Sequence, residues 1–288
     1  MSLRVHFALC LLAATAAGVR ADPADEIKAA YERLRAQRSY SWETMEGKPG
    51  GINTPGVFKT PYGLARGSVT VERIVPHVLG TKRSDGSTVI VADTPRDHGA
   101  TAVLPAAGAG VVSTPDGWVT REELQPRLKA AVKAGGAGRD ALQIAGAALA
   151  TKRPDAELPA LIKDVGEFKV DGDEISGPLS PYMAGVMFGP APDHLLVKDV
   201  TGTLSFQLKD GMIRAYTVRT EAVVTIRNVL PPVGRQLPGE GRIDESAPIA
   251  EGHETTTIID YAPPAVPRIP EGAAHKLAEL KAAAGPGR

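Results

Sequence analysis

Carboxylates and histidines are the first candidates for chemistry in this sequence, because both groups transfer protons and bind metals. Asp97 and His98 are adjacent, and such a pair could act as a base and its orienting carboxylate. Adjacent residues on a strand point to opposite faces, however, which favours a solvated loop at this position. The run DGDE at residues 171–174 gathers three carboxylates but has only the beginning of a calcium-loop pattern. It is better explained as a charged hairpin tip in water.

Complete catalytic signatures are missing from the sequence. It contains no G-x-S-x-G, H-E-x-x-H or phosphate-binding loop, and the run GAGVVS at residues 108–113 lacks the third glycine of a dinucleotide fingerprint. The histidines are scattered singly, without the spacing of a zinc site. We therefore predict a protein that is not an enzyme and has no cofactor and no metal. A hydrolase that uses Asp97-His98 or the DGDE cluster is the least favoured alternative.

The N-terminus predicts an export signal. Arg4 and His6 precede an apolar run at residues 7–18, and residues 19–21 place small side chains where a signal peptidase reads them. The run is shorter than the roughly 20 residues that a membrane-spanning helix needs. We expect cleavage after Ala21 and a periplasmic or otherwise exported bacterial protein without an integral membrane segment. Cysteine usage agrees, since the single cysteine lies in the expected leader and a cysteine-free exported chain is typical of a bacterial envelope.

The charge balance excludes two classes of partner. The chain has 33 basic and 33 acidic residues, and removal of Arg4 and Arg20 with the leader would leave 31 basic residues. No block of basic residues stands out. The sequence therefore lacks the electrostatic footprint of a nucleic-acid-binding protein and the polybasic patch that binds an anionic membrane surface.

The elements that must position any site are helices and antiparallel strands. Asp22 can cap a helix over residues 24–37, and Tyr40 and Trp42 alternate with polar residues as in a strand with an aromatic face. Four Asp-Gly pairs, which begin at residues 85, 116, 171 and 210, predict tight hairpins. Sequential hairpins build an antiparallel sheet. Residues 52–63 and 231–252 are rich in proline and glycine and predict loops.

The middle of the chain changes to helical sequence. Residues 120–163 have few strand signals and contain a capping box of Thr120 and Glu123, which predicts three helices. Further helices are expected after Ser180 and at about residues 273–284. The order of elements predicts an α+β fold in one domain over residues 22–288, with helices packed along one face of a twisted antiparallel sheet.

The clearest hairpin, FQLKDGMIRAYTV at residues 206–218, places apolar side chains at alternating positions of two strands. These residues and the middle helices could enclose a hydrophobic cavity, or they could form an ordinary filled core. The candidate wall of the cavity consists of Trp42, Leu204, Phe206, Leu208, Tyr216, Val218 and Val224. The candidate lid consists of Leu142, Ile144, Met183, Met187 and Phe188, and methionine suits an adaptable apolar surface.

Four motifs resemble those of the lipoprotein- and lipid-carrier superfamily of the LolA/LolB and LppX/LprG type. They are SYSW at residues 39–42, TPDGWVTREEL at 114–124, the strand pair at 200–226, and ETTTIIDYAPPAVPRIPEGAAHKL at 254–277. These motifs are structural and not catalytic, and together they span most of the chain after the leader.

The resemblance implies a single curved antiparallel sheet, an unclosed half-barrel, wrapped around helices. It also implies a hydrophobic cavity between sheet and helices that holds acyl chains, without a cofactor and without a reaction. The expected function is therefore a periplasmic carrier of a lipid or of a lipoprotein acyl chain. The alternative is an assembly module with a filled core that binds another envelope protein.

Overall fold

The computed structural model describes most of the chain after the expected leader. The described residues are 22–46, 52–60, 63–71, 76–94, 99–134, 138–189, 195–230, 242–245, 248–262 and 267–284. The expected leader at residues 1–21, the Asp97-His98 pair and residues 231–241 of the predicted loop lie outside these ranges.

The described residues form six helices and fourteen strands. The helices are α1 (Pro23–Ala36), α2 (Arg121–Ala134), α3 (Gly138–Ala150), α4 (Pro154–Asp164), α5 (Pro181–Phe188) and α6 (Glu271–Ala283). The first strands are β1 (Tyr40–Glu46), β2 (Ile52–Thr60), β3 (Gly63–Val71), β4 (His77–Lys82), β5 (Thr88–Asp93), β6 (Ala100–Leu104) and β7 (Val111–Thr114). The remaining strands are β8 (Gly117–Thr120), β9 (Lys169–Asp171), β10 (Glu174–Pro178), β11 (Leu195–Lys209), β12 (Met212–Leu230), β13 (Arg242–Glu245) and β14 (Ile249–Asp260).

One open antiparallel sheet contains twelve of the described strands. Its order is β8-β7-β6-β5-β4-β1-β14-β12-β11-β10-β9, and β13 pairs with the far end of β12. The edge strands β8 and β9 do not pair with each other among the described residues, so the sheet is not closed into a barrel. This topology confirms the predicted α+β fold with a single unclosed antiparallel sheet. Strands β2 and β3 form a separate two-stranded ribbon.

All four Asp-Gly pairs lie at the predicted hairpin turns. They join β4 to β5, β7 to β8, β9 to β10 and β11 to β12. At the last turn both residues have positive φ, 53° for Asp210 and 71° for Gly211. Aspartate and glycine are the residues that adopt this conformation at least cost, which is why the sequence signal was reliable.

Local caps fix the starts of three helices. Asp22 accepts a hydrogen bond from the Ala24 amide at the start of α1, and the Ser180 hydroxyl accepts one from the Met183 amide at the start of α5. Thr120 and Glu123 form the predicted reciprocal capping box, with bonds of 3.3 and 2.8 Å. The three helices predicted within residues 120–163 are α2, α3 and α4.

The sheet has helices on both faces, which corrects the predicted one-sided arrangement. Ala102 and Val112 belong to the large core that includes residues of α1 to α5. Their neighbours Val103 and Val111 point the opposite way and pack with Ala273 of α6. We call the face covered by α1 to α5 the inner face and the other the outer face. Adjacent residues of β6 and β7 point to opposite faces of the sheet. Both faces are apolar at these two strands, and a helix covers each of them.

Two predicted loops contain strands. Residues 52–60 form β2 although they include Pro55 and Gly56. A two-stranded ribbon tolerates proline because one edge of each strand has no partner. The prediction for residues 231–252 was wrong at 242–245 and from 249 onward, where β13 and β14 extend along β12. Strand β12 has 19 residues and extends well beyond the hairpin, so its backbone N–H and C=O groups can pair with β13 and β14. The composition of residues 231–252 does not indicate that such a partner strand is present.

No helix among the described residues combines the length and the apolar character required to cross a bilayer.

Candidate functional site

Most residues of the predicted hairpin wall lie on the inner face. Leu204 is opposite Val218, and Phe206 is opposite Tyr216. Leu204 and Phe206 are fully buried. A bulge between Gln207 and Leu208 shifts the pairing, and Leu208 is only half-buried at the edge of the core. The bulge therefore brings Phe206 and Tyr216 opposite each other on one face, and contact of these residues with a ligand stays a prediction.

The remaining candidate residues divide between two clusters. Trp42, Ile144 and Val218 are buried in the same core as the hairpin wall, and the half-buried members at its edge are Leu142, Met183 and Met187. Phe188 and Val224 belong to a second cluster with Ala222. The structure therefore brings most of the predicted wall and lid into one continuous apolar interior, with the helices packed directly against the inner face.

Trp42 is positioned by a glycine on the neighbouring strand. It lies opposite Gly80 of β4, and its indole ring occupies the space in which a Cβ at Gly80 would stand. The ring centroid of Tyr40 is 5.8 Å away in a tilted arrangement. Gly80 is therefore required by the close approach of the ring, and local sequence patterns do not reveal this because the two residues are 38 positions apart.

Two inner-face tyrosines contact the first turn of α4. The Tyr216 hydroxyl donates a hydrogen bond of 2.5 Å to the Glu157 carboxylate. The Tyr40 hydroxyl accepts one of 3.3 Å from the Asp155 amide. Burial raises the pKa of the Glu157 carboxyl and of both phenols above their usual values. These polar contacts attach α4 to the inner face.

The carboxylate of Asp155 also attaches α4 to the sheet, through ion pairs. Its two oxygens lie 2.8 Å from Lys82 Nζ and 3.1 Å from Arg153 Nε. The Asp155 side chain is 7% exposed and that of Lys82 is 12% exposed. Lys82 also lies 5.3 Å from the centroid of the Tyr40 ring. A buried carboxylate needs compensation, and Lys82 and Arg153 supply it here.

A cleft of about 940 Å³ lies between α2 and α3. Its lining is mainly apolar and consists of Pro76, Leu124, Leu128, Ile144, Gly146, Ala147, Leu149 and Ala150, with Arg121, Gln125, Arg139, Asp140 and Gln143 as polar members. Ile144 lines this cleft and is also part of the core. It is the predicted site residue that the structure places at the boundary between cleft and interior.

Three residues link the end of α2 to the start of α3, and the two helices run in opposite directions. The Arg121 guanidinium at the start of α2 donates a hydrogen bond of 2.9 Å to the carbonyl of Leu149 near the end of α3. Arg139 is the second residue of α3 and lies towards the other end of the cleft, with its Nε 3.5 Å from the Asp140 carboxylate. The apolar floor therefore has a cation near each end.

A second cleft of about 810 Å³ lies between the start of α1 and the end of α4. Asp22, Asp25, Lys28 and Glu167 contribute charged groups to its lining, beside Ile162 and Phe168. Three carboxylates around a small apolar area suit an alkyl chain less well than the floor between α2 and α3, because an alkyl chain cannot compensate charges that lose water.

Two further aromatic residues and the DGDE cluster lie away from these clefts. The side chain of Tyr182 is 78% exposed on α5, and Trp118 packs against α6 on the outer face. The DGDE carboxylates are exposed at the turn between β9 and β10. Among the described residues, no group of three or more histidine, cysteine, aspartate or glutamate side chains is arranged to hold a metal ion.

Sequence reasoning missed the floor of the α2–α3 cleft. Leu124 and Leu128 are four residues apart and therefore share one face of α2, and this spacing was the available signal. It identifies an apolar stripe on a helix. It does not say whether the stripe is covered completely or leaves a cleft, because that depends on the small residues Gly146 and Ala147 of the facing helix.

Comparison with known proteins gives similarities to solved structures. No protein-family model and no curated protein sequence matches the chain. The chain is similar to the crystal structure of the Mycobacterium tuberculosis lipoprotein LppX, with 11% sequence identity over 85% of this chain and 98% of that chain and a TM-score of 0.37.

Proposed function

We propose that this protein binds a lipid, or the acyl chain of a lipoprotein, without converting it, and carries it within the bacterial envelope. The α2–α3 cleft is the observation on which this proposal rests. Its volume of about 940 Å³ lies in the range of roughly 300–1,000 Å³ that small-molecule sites occupy. Each buried CH₂ group would contribute about 0.8 kcal/mol to binding, so an alkyl chain on this floor needs few polar contacts.

The predicted wall and lid would extend this site inward. Ile144 connects the cleft floor to the core, and Leu142 is half-buried beside the core on the same helix. A chain longer than the cleft would replace contacts between helices and the inner face, where Phe206 and Tyr216 lie. In this proposal the half-buried Met183 and Met187 adapt to the ligand, because the unbranched thioether side chain repacks at little cost.

Export would follow from the N-terminal leader, with cleavage after Ala21. The sequence supports this location through its apolar run at residues 7–18 and the small residues before the cleavage point. A carrier in an aqueous envelope compartment must shield alkyl chains from water. The open sheet with helices on its inner face supplies a fold that can do so.

Native mass spectrometry tests the proposal directly. The full chain with its own leader is expressed in a bacterial host, purified from the envelope fraction without detergent, and weighed intact. We expect a polypeptide that begins at Asp22, together with a bound species that organic solvent extracts as a lipid. A bare polypeptide mass with no extractable lipid would contradict carriage of a hydrophobic ligand.

A second candidate function is an assembly module that binds an envelope protein. The outer face favours it, because Leu79 is 46% exposed and Val91 and Met45 are also exposed there. Leu79 and Val91 are opposite each other on β4 and β5. A photo-crosslinking amino acid at position 79 would capture such a partner in cells, and the same probe at the exposed Ala130 of α2 is the matched control. Equal patterns from both positions would exclude this face as the binding surface.

A further inference from the structure

The α2–α3 cleft carries charge at its ends, and this charge indicates a ligand class. We propose that the cleft selects a single-chain amphiphile with an anionic head group, and that Arg121 binds the head group. The inference rests on the proposed function, in which the floor of the cleft binds an alkyl chain. It adds the chemistry of the other end of the ligand.

Arg121 has hydrogen-bonding capacity that the protein does not use. A guanidinium carries five N–H donors, and its Nη2 donates to the Leu149 carbonyl. Within the part of the chain that the structure describes, no carboxylate is paired with Arg121 at the 4.0 Å limit for an ion pair. The residue is exposed, so a head group bound there would remain in contact with water while its tail lay on the floor.

The guanidinium of Arg121 is held by a hydrogen bond to α3, the neighbouring helix, although Arg121 itself belongs to α2. A cation at the first position of α2 faces the positive end of that helix dipole, which is unfavourable. The hydrogen bond to Leu149 instead places the guanidinium at the C-terminal end of α3, which has no basic residue of its own in its last turn. Arg121 is therefore held at the end of the cleft before a ligand arrives, and preorganisation of this kind lowers the cost of binding.

The opposite end of the cleft is closer to neutral. Arg139 there has the Asp140 carboxylate 3.5 Å from its Nε, and both side chains line the cleft. The charged lining consists of two arginines and one aspartate, which gives the lining a net positive charge at the Arg121 end, although the neighbouring Glu122 carboxylate outside the lining also interacts with Arg121. An anionic head group is favoured at that end, and a cationic one is repelled.

Carboxylate and phosphate head groups both match this chemistry. A planar guanidinium binds either through two parallel N–H···O bonds, and such charge-assisted bonds are roughly twice as strong as neutral ones. The tail would contact Leu124, Leu128 and Ile144. A ligand that has the head group without the tail loses the apolar contribution, and an alcohol with the same tail loses the charged one.

Isothermal titration calorimetry of the delipidated chain from Asp22 onward tests the inference with four probes. These are dodecanoate, dodecyl phosphate, dodecanol and acetate. We expect at least one anionic dodecyl probe to bind about tenfold or more tightly than dodecanol, in line with a charged hydrogen bond, and acetate to give no signal. The stronger of the two anionic probes identifies the head group.

Variants of two arginines on the same helix assign the effect. In Arg121→Gln the ratio of the dodecanol and dodecanoate dissociation constants should fall towards one, and in Arg121→Lys part of the preference should return. Arg127→Gln is the matched control, because Arg127 is exposed on α2, lies 3.8 Å from Asp116 and does not line the cleft. This control should keep the wild-type ratio. Circular dichroism shows that each variant is folded.

The outcomes separate this inference from the proposed function. Equal binding of dodecanoate, dodecyl phosphate and dodecanol would overturn the head-group inference and leave the binding of alkyl chains intact. An unchanged ratio in Arg121→Gln would also overturn it. Absence of binding by all three dodecyl probes would overturn both.

Discussion

The hydroxyl of Tyr216 on β12 donates a hydrogen bond of 2.5 Å to the carboxylate of Glu157 on α4. The two groups meet where the apolar inner face comes closest to the first turn of that helix. Burial raises the pKa of the Glu157 carboxyl and that of the Tyr216 phenol. The attachment of α4 therefore depends on the protonation of a carboxyl group, and the pH dependence of stability can be predicted from it.

Glu157 should make the folded protein less stable as the pH rises. Its folded-state pKa lies above the ordinary value of 4.5, so its contribution to the free energy of unfolding is fully present below that pH and is lost as the pH rises through the folded-state pKa. Glu157→Gln cannot ionise. The variant should gain stability relative to wild type from about pH 4.5 upward, by about 1.4 kcal/mol for each unit by which the pKa is raised.

Urea denaturation at several pH values measures this difference. Glu254→Gln is the matched control, because it makes the same substitution at a partly exposed carboxylate that pairs with Arg219 on the sheet. Parallel stability curves for wild type and Glu157→Gln would show that the carboxyl does not titrate as the structure indicates.

Asp155 should contribute far more to stability than an exposed acidic residue. Asp155→Ala removes the carboxylate that pairs with Lys82 and Arg153 and leaves a nearly buried ammonium group without its partner. Loss of one member of a buried ion pair costs about 3–5 kcal/mol. Glu254→Ala, at an exposed pair, should cost about 1 kcal/mol or less. Similar urea midpoints for the two variants would contradict this ranking.

Gly146→Leu should stabilise the protein and weaken ligand binding at the same time. Glycine inside a helix costs about 1 kcal/mol relative to better helix formers, so the melting temperature should rise. The nearest heavy atom to a new Cβ is Leu124 Cδ2 at 4.0 Å, and the longer side chain would therefore extend into the cleft between α2 and α3.

Native mass spectrometry of this variant reads out the bound lipid. Ala130→Leu adds a leucine at an exposed position of α2 outside the cleft and should retain the wild-type occupancy. A Gly146→Leu protein with full occupancy would exclude the cleft as the binding site, and its higher melting temperature would rule out misfolding as the cause of any loss.

Gly211→Ala should destabilise the protein more than Gly172→Ala. Both glycines have positive φ, 71° and 59°, so each substitution costs about 1–2 kcal/mol in backbone strain. Only Gly211 has a close neighbour, because a Cβ there would meet the guanidinium of Arg33, which donates a hydrogen bond of 2.7 Å to the Gly211 carbonyl. Thermal unfolding of the two variants measures the additional loss, and equal losses would show that the Arg33 contact is not stabilising.

Local signals predicted the parts of this fold that depend on neighbours in sequence. The Asp22, Thr120 and Ser180 caps satisfy amides two or three residues away, and each Asp-Gly turn depends on the φ preferences of its own two residues. Beyond the turn the hairpin register is set by the bulge between Gln207 and Leu208, which places Phe206 opposite Tyr216 and which the turn residues do not predict.

Other features could not be predicted from residues close in sequence. Strand β13 forms because β12 continues beyond the hairpin and offers a template, although its own sequence is flanked by proline and glycine. The Asp155 cluster joins residues of β4 and α4 that are 73 positions apart. Periodicity showed that these helices have apolar faces, but it did not show which strand or charge each face would meet.

The sequence by itself determined the helices, the Asp-Gly turns and the antiparallel order of the hairpins. Tertiary structure decided that α6 covers the outer face at β7 and β8, that α4 is attached by buried polar groups, and that a cleft remains between α2 and α3. The reason is physical. Caps, turns and strand alternation depend on interactions between residues that are close in sequence, whereas a cleft is the volume that remains after side chains distant in sequence have packed. Gly146 and Ile144 lie two positions apart on α3, and their role at this cleft follows only from the side chains of α2 that face them.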